Sequence, residues 1–130
     1  LILSPTRELA IQIANNIGEF SQNMPNLRVT AVYGGANIDE QIRSLRKGSQ
    51  IVVGTPGRTL DLVKRKALVL QDIKWLVLDE ADEMLNMGFK DELDRILRQP
   101  GEVRPGDCLA VLERLRDELL GAELPSPVSL

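Results

Sequence analysis

The sequence predicts an α/β fold in which a parallel β-sheet carries helices on its faces. Short apolar runs rich in β-branched residues alternate with amphipathic stretches along residues 1–99, and this alternation is typical of consecutive strand–helix–strand units. Clusters of Gly, Pro and Asn separate the segments, as loops require. A chain of 130 residues allows at most one domain with a substantial core.

The first half of the chain predicts three strands and two helices. Apolar residues recur at spacings of four, four and three from Leu9 to Phe20, which places them on one face of a helix. Asn and Pro at 23–26 indicate a turn, and Gly48 closes the second helix. The predicted elements are a strand over 1–4, a helix that opens near Arg7, a strand over 27–33, a helix over 39–46 and a strand over 50–54.

The second half predicts a third helix, a fourth strand and further helical sequence. The helix runs through Leu60 and Val63, and the strand covers 75–78. Helical sequence then continues over 81–98, with an interruption at Gly88 because glycine is a poor interior helix residue.

Residues 100–130 differ in kind from the rest and form a predicted linker followed by one amphipathic helix. Pro and Gly residues open the segment, and Val111, Leu115 and Leu119 lie on one face of a predicted helix over 107–121. Such a helix needs a surface to cover. That surface is either an exposed edge of the sheet or a protein partner.

Composition restricts the chemistry that the chain supports. The net charge of −3 lies entirely in residues 100–130, since residues 1–99 carry 13 basic and 13 acidic side chains. A neutral body still allows phosphate binding through a few well-placed arginines. The chain has no histidine, which excludes histidine metal ligands and general bases, and 3% aromatic residues disfavour binding by base stacking. The single Cys108 excludes an internal disulfide, and no membrane-spanning stretch or signal peptide is evident, so we expect a cytoplasmic protein.

Two copies of a phosphate-binding arrangement follow predicted strands. Thr6 and Arg7 stand where the first strand leads into a helix, and Thr55 and Arg58 stand at the same place after the third strand. Each copy offers a hydroxyl, a guanidinium and the free N–H groups of a helix start, which together suit a phosphate. An ordinary strand–helix junction or a plain turn explains either copy taken alone.

An acidic segment follows the fourth strand. Residues 79–82 read Asp-Glu-Ala-Asp directly after an apolar run. Mg²⁺ prefers oxygen ligands, so Asp79 suits holding the ion and Glu80 suits orienting a water molecule for attack. The alternative is that these acids cap a helix and favour the positive end of its dipole.

A glycine pair, Gly34 and Gly35, follows the second strand and lets a phosphate approach the backbone closely, although a simple turn explains it as well. Because the carboxyl ends of parallel strands meet at one edge of a sheet, we expect the glycine pair, both arginine sites and the acidic segment to lie along one rim.

These strings resemble motifs of the DEAD-box RNA helicases in wording, order and spacing. They are Pro-Thr-Arg-Glu-Leu-Ala at 5–10 (motif Ia), Gly-Gly at 34–35 (the GG element), Thr-Pro-Gly-Arg at 55–58 (motif Ib) and Asp-Glu-Ala-Asp at 79–82 (motif II). The resemblance implies a partial RecA-like domain of the P-loop NTPase class over residues 1–99. The stretches at 32–35 and 84–89 look most similar to bacterial cold-shock and ribosome-assembly members.

The resemblance also implies roles for individual residues. Asp79 would hold Mg²⁺ through water on the phosphates of ATP, Glu80 would orient or deprotonate the attacking water, and Asp82 would link the ATP state to domain closure. The residues implied to contact the RNA sugar–phosphate backbone, without sequence readout, are Thr6, Arg7, Gly35, Thr55 and Arg58.

Two departures from the family pattern qualify these roles. The phosphate-binding string Gly-x-x-x-x-Gly-Lys-[Ser/Thr] occurs nowhere in the 130 residues, and no second RecA-like domain is present. We therefore expect a fragment from the middle of the first domain that lacks ATPase activity by itself, as an interrupted gene, a partial sequence or a fusion would produce.

Two other functions stay open on the sequence. One is a non-enzymatic product that binds RNA weakly or binds a protein partner through the helix at 107–121. The other is a motor directed at DNA, because backbone contacts alone do not distinguish RNA from DNA.

Overall fold

The computed structural model describes residues 1–97 and 109–110, and these residues form one parallel sheet with helices on it. The strand order is β2-β3-β1-β4-β5, and every neighbouring pair is parallel. The predicted α/β class is therefore confirmed. The strands are β1 (Ile2–Leu3), β2 (Val29–Val32), β3 (Ile51–Gly54), β4 (Leu76–Leu78) and β5 (Leu109–Ala110).

Five helices connect these strands within the described residues. They are α1 (Arg7–Phe20), α2 (Ile38–Arg46), α3 (Pro56–Lys64), α4 (Ala81–Asn86) and α5 (Lys90–Leu97). The interruption predicted at Gly88 separates α4 from α5, and Gly88 has the left-handed φ of 88° that glycine adopts without a steric penalty. The right-handed crossover that parallel strands favour puts α1 on one face of the sheet and α2 and α3 on the other.

The core lies between the sheet and the helices α3, α4 and α5, which pack on one of its faces. Leu3 and Val32 point into it from the sheet and are fully buried. The helices contribute Leu62, Met84 and Leu93, which are also fully buried. Burial of one such side chain contributes about 1.5–3 kcal/mol, so this layer fixes how the helices sit on the strands.

The main-chain ladder between β1 and β4 extends to Leu1. The Leu1 amino group donates to Trp75 O at 2.8 Å, and Leu1 O accepts from Val77 N at 2.9 Å. Burial lowers the pKa of this amino group from 8.0 to about 6, because removal from water disfavours the charged form.

The prediction of a helix over 107–121 is wrong at its start. Leu109 and Ala110 form strand β5, which pairs with β4 in the register Leu76 with Leu109 and Val77 with Ala110. The outer edge of β4 carries backbone N–H and C=O groups that need partners, and a short apolar run fits a strand as well as a helix. The other residues of the predicted helix lie outside the described part of the chain.

Gly54 marks a close contact between the sheet and α3. A Cβ atom at Gly54 would overlap Oγ1 of the fully buried Thr59 and would lie 2.8 Å from Cγ2 of Val32. Both neighbours are held in the core, so neither moves away cheaply. A glycine is therefore required here by packing.

We expect Gly54→Ala to lower the free energy of unfolding by about 1–3 kcal/mol, the usual cost of overfilling a core. Gly57→Ala is the matched control, because no atom lies within 4 Å of its added Cβ. It should leave stability unchanged or raise it slightly. Urea unfolding followed by circular dichroism measures both, and equal stability of Gly54→Ala and the parent chain would contradict this packing.

Candidate nucleic-acid interface

The residues that follow β1, β2, β3 and β4 lie side by side along one edge of the sheet, here called the carboxyl rim. It comprises residues 4–7, 33–36, 55–58 and 79–82. Main-chain hydrogen bonds continue the ladder past the strand ends: Ser4 N donates to Gly54 O, Thr55 N to Val32 O and Asp79 N to Leu3 O, at 2.9–3.1 Å. The backbone thus places all four motifs along one rim, as expected.

Thr6 begins α1 and caps it. Its backbone is extended (φ −129°, ψ 154°), and its hydroxyl oxygen accepts a hydrogen bond from Leu9 N at 3.2 Å. The structure therefore has the ordinary strand–helix junction at this point, with Thr6 as its capping residue. A hydroxyl that accepts one bond still has its own O–H to donate, so the cap leaves Thr6 able to donate to a phosphate.

Arg7 is exposed at the start of α1 and lies against the residues that follow β2. Its guanidinium carbon lies 5.0 Å from the centroid of the Tyr33 ring, within cation–π range. Its Nη1 also lies beside Gly35, where a Cβ atom would be 3.4 Å away. Gly35 has a left-handed φ of 78°, so its backbone conformation favours glycine.

Arg58, in the first turn of α3, reaches across to the segment at 33–36, which we call the glycine loop. Its Nη1 and Nη2 each donate to Ala36 O at 3.2 Å, and Nη1 also donates to Gln41 Oε1 at 2.9 Å. The guanidinium is half-buried by these contacts. Arginine has five N–H donors, so Nε–H and one N–H on Nη2 remain for another partner.

Gln41 is a residue of this site that the motif analysis missed. It lies in α2 with 7% of its surface exposed, and its Nε2 donates to Tyr33 O at 3.0 Å. Its Oε1 accepts from Tyr33 N at 3.3 Å as well as from Arg58. The available signal was a polar residue on the apolar stripe of α2, next to the partly buried Ile38, Ile42 and Leu45.

Thr55 occupies the capping position of α3 without capping it. Its backbone is extended, its side chain makes no capping hydrogen bond, and Pro56 follows as the first helical residue. Proline suits this first helical position, because the N–H that it lacks would have no partner within the helix. The half-buried hydroxyl of Thr55 thus makes no capping hydrogen bond to its helix, whereas the hydroxyl of Thr6 does.

The acidic end of the rim follows β4. Asp79 is half-buried, whereas Glu80 and Asp82 are exposed. Glu80 adopts the left-handed conformation (φ 52°, ψ 50°) and makes no side-chain capping bond to α4, so the capping alternative is not realised at Glu80. That conformation costs a residue with a Cβ about 1–2 kcal/mol.

The donor set of the acidic end fits a metal only in part. Within residues 1–97 and 109–110, no group of three or more Asp, Glu, Cys or His side chains is placed to hold a metal ion. Carboxylate oxygen is nevertheless the ligand type that Mg²⁺ prefers. The residues therefore fit an ion whose remaining ligands are phosphate oxygens and water, and they do not form a protein-only cage.

The parallel sheet and its motif-bearing rim define the class of RecA-like domains. The sequence model of the DEAD/DEAH box helicase family matches residues 1–111, and the chain belongs to this family. The match runs past the boundary predicted at residue 99 and includes β5. The predicted family membership and the partial RecA-like fold are both confirmed.

Individual relatives show how much of a family member the chain represents. It is 52% identical over 128 residues to the RNA helicase CrhR of Synechocystis sp., covering 98% of this chain and 26% of CrhR. It is 57% identical over 99 residues to the ATP-dependent RNA helicase CshA of Listeria monocytogenes, covering 76% of this chain and 19% of CshA. A crystal structure of a DEAD box protein from Methanococcus jannaschii superposes with a TM-score of 0.81 at 41% identity, covering 98% of this chain and 35% of that one. The chain thus spans about a quarter or less of these two curated helicases.

Within the described residues, no helix combines the length and the apolar character that crossing a membrane requires.

Backbone strain at Glu80 gives a direct test of the acidic end. We expect Glu80→Gly to raise the free energy of unfolding by about 1 kcal/mol, because glycine adopts the left-handed conformation without penalty. The matched control is Glu83→Gly within α4, which should lower stability by about 1 kcal/mol as glycine does in helices. Denaturant unfolding measures both variants. A lower stability of both would contradict strain at Glu80.

Proposed function

We propose that this chain is part of the first RecA-like domain of an ATP-dependent DEAD-box RNA helicase, and that its carboxyl rim binds the sugar–phosphate backbone of RNA. The observation that carries the proposal is the convergence of Arg7 and Arg58 on the glycine loop from two different helices. The residues proposed to contact RNA are Thr6, Arg7, Gly35, Thr55 and Arg58.

The chemistry of these groups suits phosphate and carries no base preference. Arg7 lies beside the Tyr33 ring and is exposed, so its N–H groups are accessible to a ligand. Arg58 retains Nε–H and one N–H on Nη2. Gly35 has no side chain to obstruct a close approach to its backbone. Contacts of this kind fix the position of a strand without reading its sequence.

The acidic end is proposed to serve ATP in the intact protein. When ATP and Mg²⁺ are bound, hydrolysis of the terminal phosphate supplies the free energy for local unwinding of RNA duplexes. Asp79, at the end of β4, would accept hydrogen bonds from the water ligands of Mg²⁺. Glu80 would accept a proton from the attacking water, and Asp82 would link the state of the nucleotide to closure of the two domains.

The chain by itself is proposed to lack ATPase activity. The 130 residues contain no phosphate-binding string, so neither its backbone N–H cradle nor its lysine is available to neutralise phosphate charge. A cytoplasmic location belongs to the same proposal, supported by the single cysteine, which offers no internal disulfide.

The second candidate is a non-enzymatic RNA-binding or partner-binding product. It is favoured by the phosphate-suited rim together with the lack of the phosphate-binding string in the 130 residues. In the partner-binding version, the residues of the predicted 107–121 segment that follow β5 would contact the protein partner.

We expect this chain to bind single-stranded RNA with the same affinity for oligouridylate and oligoadenylate, and to bind about tenfold more weakly after Arg7→Ala or Arg58→Ala. The slope of log affinity against log salt should fall by about 0.7 for each phosphate that the variant no longer binds. The matched control is Arg65→Ala in the same helix region, since Arg65 is exposed and paired with Asp61 at 3.1 Å. Fluorescence anisotropy measures binding, and an equally weakened Arg65→Ala would refute a role for the rim.

We also expect no RNA-stimulated ATP hydrolysis from the chain alone. Phosphate release should equal the rate without protein, and Glu80→Gln should leave it unchanged. RNA-dependent turnover that disappears in Glu80→Gln would show that the rim acts on ATP without the phosphate-binding string, contrary to the proposal.

A further inference from the structure

Gln41 is a buried polar side chain at the carboxyl rim that the proposed RNA contacts do not include. It belongs to α2, yet its amide group faces the glycine loop and Arg58 rather than solvent. A buried amide must be hydrogen-bonded to be tolerated, and both of its polar atoms are used here. Its partners therefore indicate what it does.

The amide of Gln41 acts as a substitute for a missing neighbour strand. β2 is the outermost strand of the described sheet, and Val32 O accepts from Thr55 N on the β3 side. The N–H and C=O of the next residue, Tyr33, therefore face the outer edge, where Gln41 pairs with both. The pairing holds the backbone at the point where the glycine loop begins.

The same Gln41 oxygen also holds Arg58. It accepts from Tyr33 N at 3.3 Å and from Arg58 Nη1 at 2.9 Å, which uses both of its lone pairs. Arg58 in turn donates to Ala36 O at the other end of the glycine loop. The loop is thus fixed at its first residue by Gln41 and at its last by Arg58, and Gly34 and Gly35 lie between these two points.

We propose that Gln41 is a positioning residue that couples the glycine loop to Arg58, so that the loop and Arg58 bind phosphate as one unit. This inference rests on the proposed function, since it concerns how the same rim binds RNA. Only an amide of this length both donates to Tyr33 O and accepts from Tyr33 N and Arg58. Leucine removes all three bonds, and glutamate removes the donor while adding a charge that neutralises Arg58.

The test is a double-mutant cycle on RNA affinity. Fluorescence anisotropy with an oligouridylate of about ten nucleotides, at several salt concentrations, is applied to Gln41→Leu, Arg58→Ala and the double variant. We expect Gln41→Leu to weaken binding about tenfold and to reduce the salt slope by about 0.7, as Arg58→Ala does. The double variant should bind about as weakly as Arg58→Ala alone. Gln12→Leu, an exposed helical glutamine in α1, is the matched control and should bind like the parent.

A second variant and a second measurement distinguish loss of the coupling from a general folding defect. Gln41→Glu keeps the shape of the side chain, so it should remain folded while lowering both the affinity and the salt slope. Amide hydrogen exchange at Tyr33 and Gly35 should become faster in Gln41→Leu without RNA present, because the loop is no longer attached to α2.

The outcomes separate this inference from the proposed function. RNA binding that depends on Arg58 but is unchanged by Gln41→Leu overturns the coupling alone. So do strictly additive effects in the double variant, or a lower stability of Gln41→Leu with an unchanged salt slope. Absence of RNA binding by the unaltered chain overturns both proposals.

Discussion

The central constraint in this molecule is the parallel pairing of β1 with β3 on one side and with β4 on the other. β1 is only two residues long, yet its ladder continues on both sides through Ser4 N and Leu3 O. Because all strands point the same way, every strand end emerges at the same edge. Arg7, Arg58 and Asp79 therefore share a rim although up to 72 residues separate them in the sequence. The residues of the carboxyl rim lie together because these main-chain hydrogen bonds hold the strands in parallel.

The rim meets structural and chemical demands with the same side chains. The Thr6 hydroxyl caps α1 through its oxygen and keeps its own O–H, and Arg58 holds the glycine loop with some N–H groups and keeps others. Glu80 differs, because its side chain makes no capping bond to α4 and its strained backbone conformation lowers stability. Strain that persists at one residue is usually offset by the packing around it, here by the buried Ala81 and Met84.

Most of the fold followed from the sequence because its signals are local. Strand spacing, the apolar stripe of α1 and the break at Gly88 each depend on neighbours within about two helical turns, and the shared rim follows from parallel strands. Gln41 was missed because its role depends on Tyr33 and Arg58, which are eight and seventeen residues away. The strand at Leu109 and Ala110 was predicted as helix for the same reason, since the open edge of β4 decides its conformation.

The decisive experiment for the carboxyl rim is a map of backbone amide chemical shifts during titration of the isotope-labelled chain with oligouridylate. We predict that the shift changes cluster along the rim, at the non-proline residues of 4–7, 33–36 and 55–58. The opposite end of the strands is the internal reference, because Val69 and Trp75 are exposed there beside Leu1 and Ile51. Shifts centred on that opposite end, with the rim unchanged, would contradict the assignment of the carboxyl rim as the RNA-binding surface.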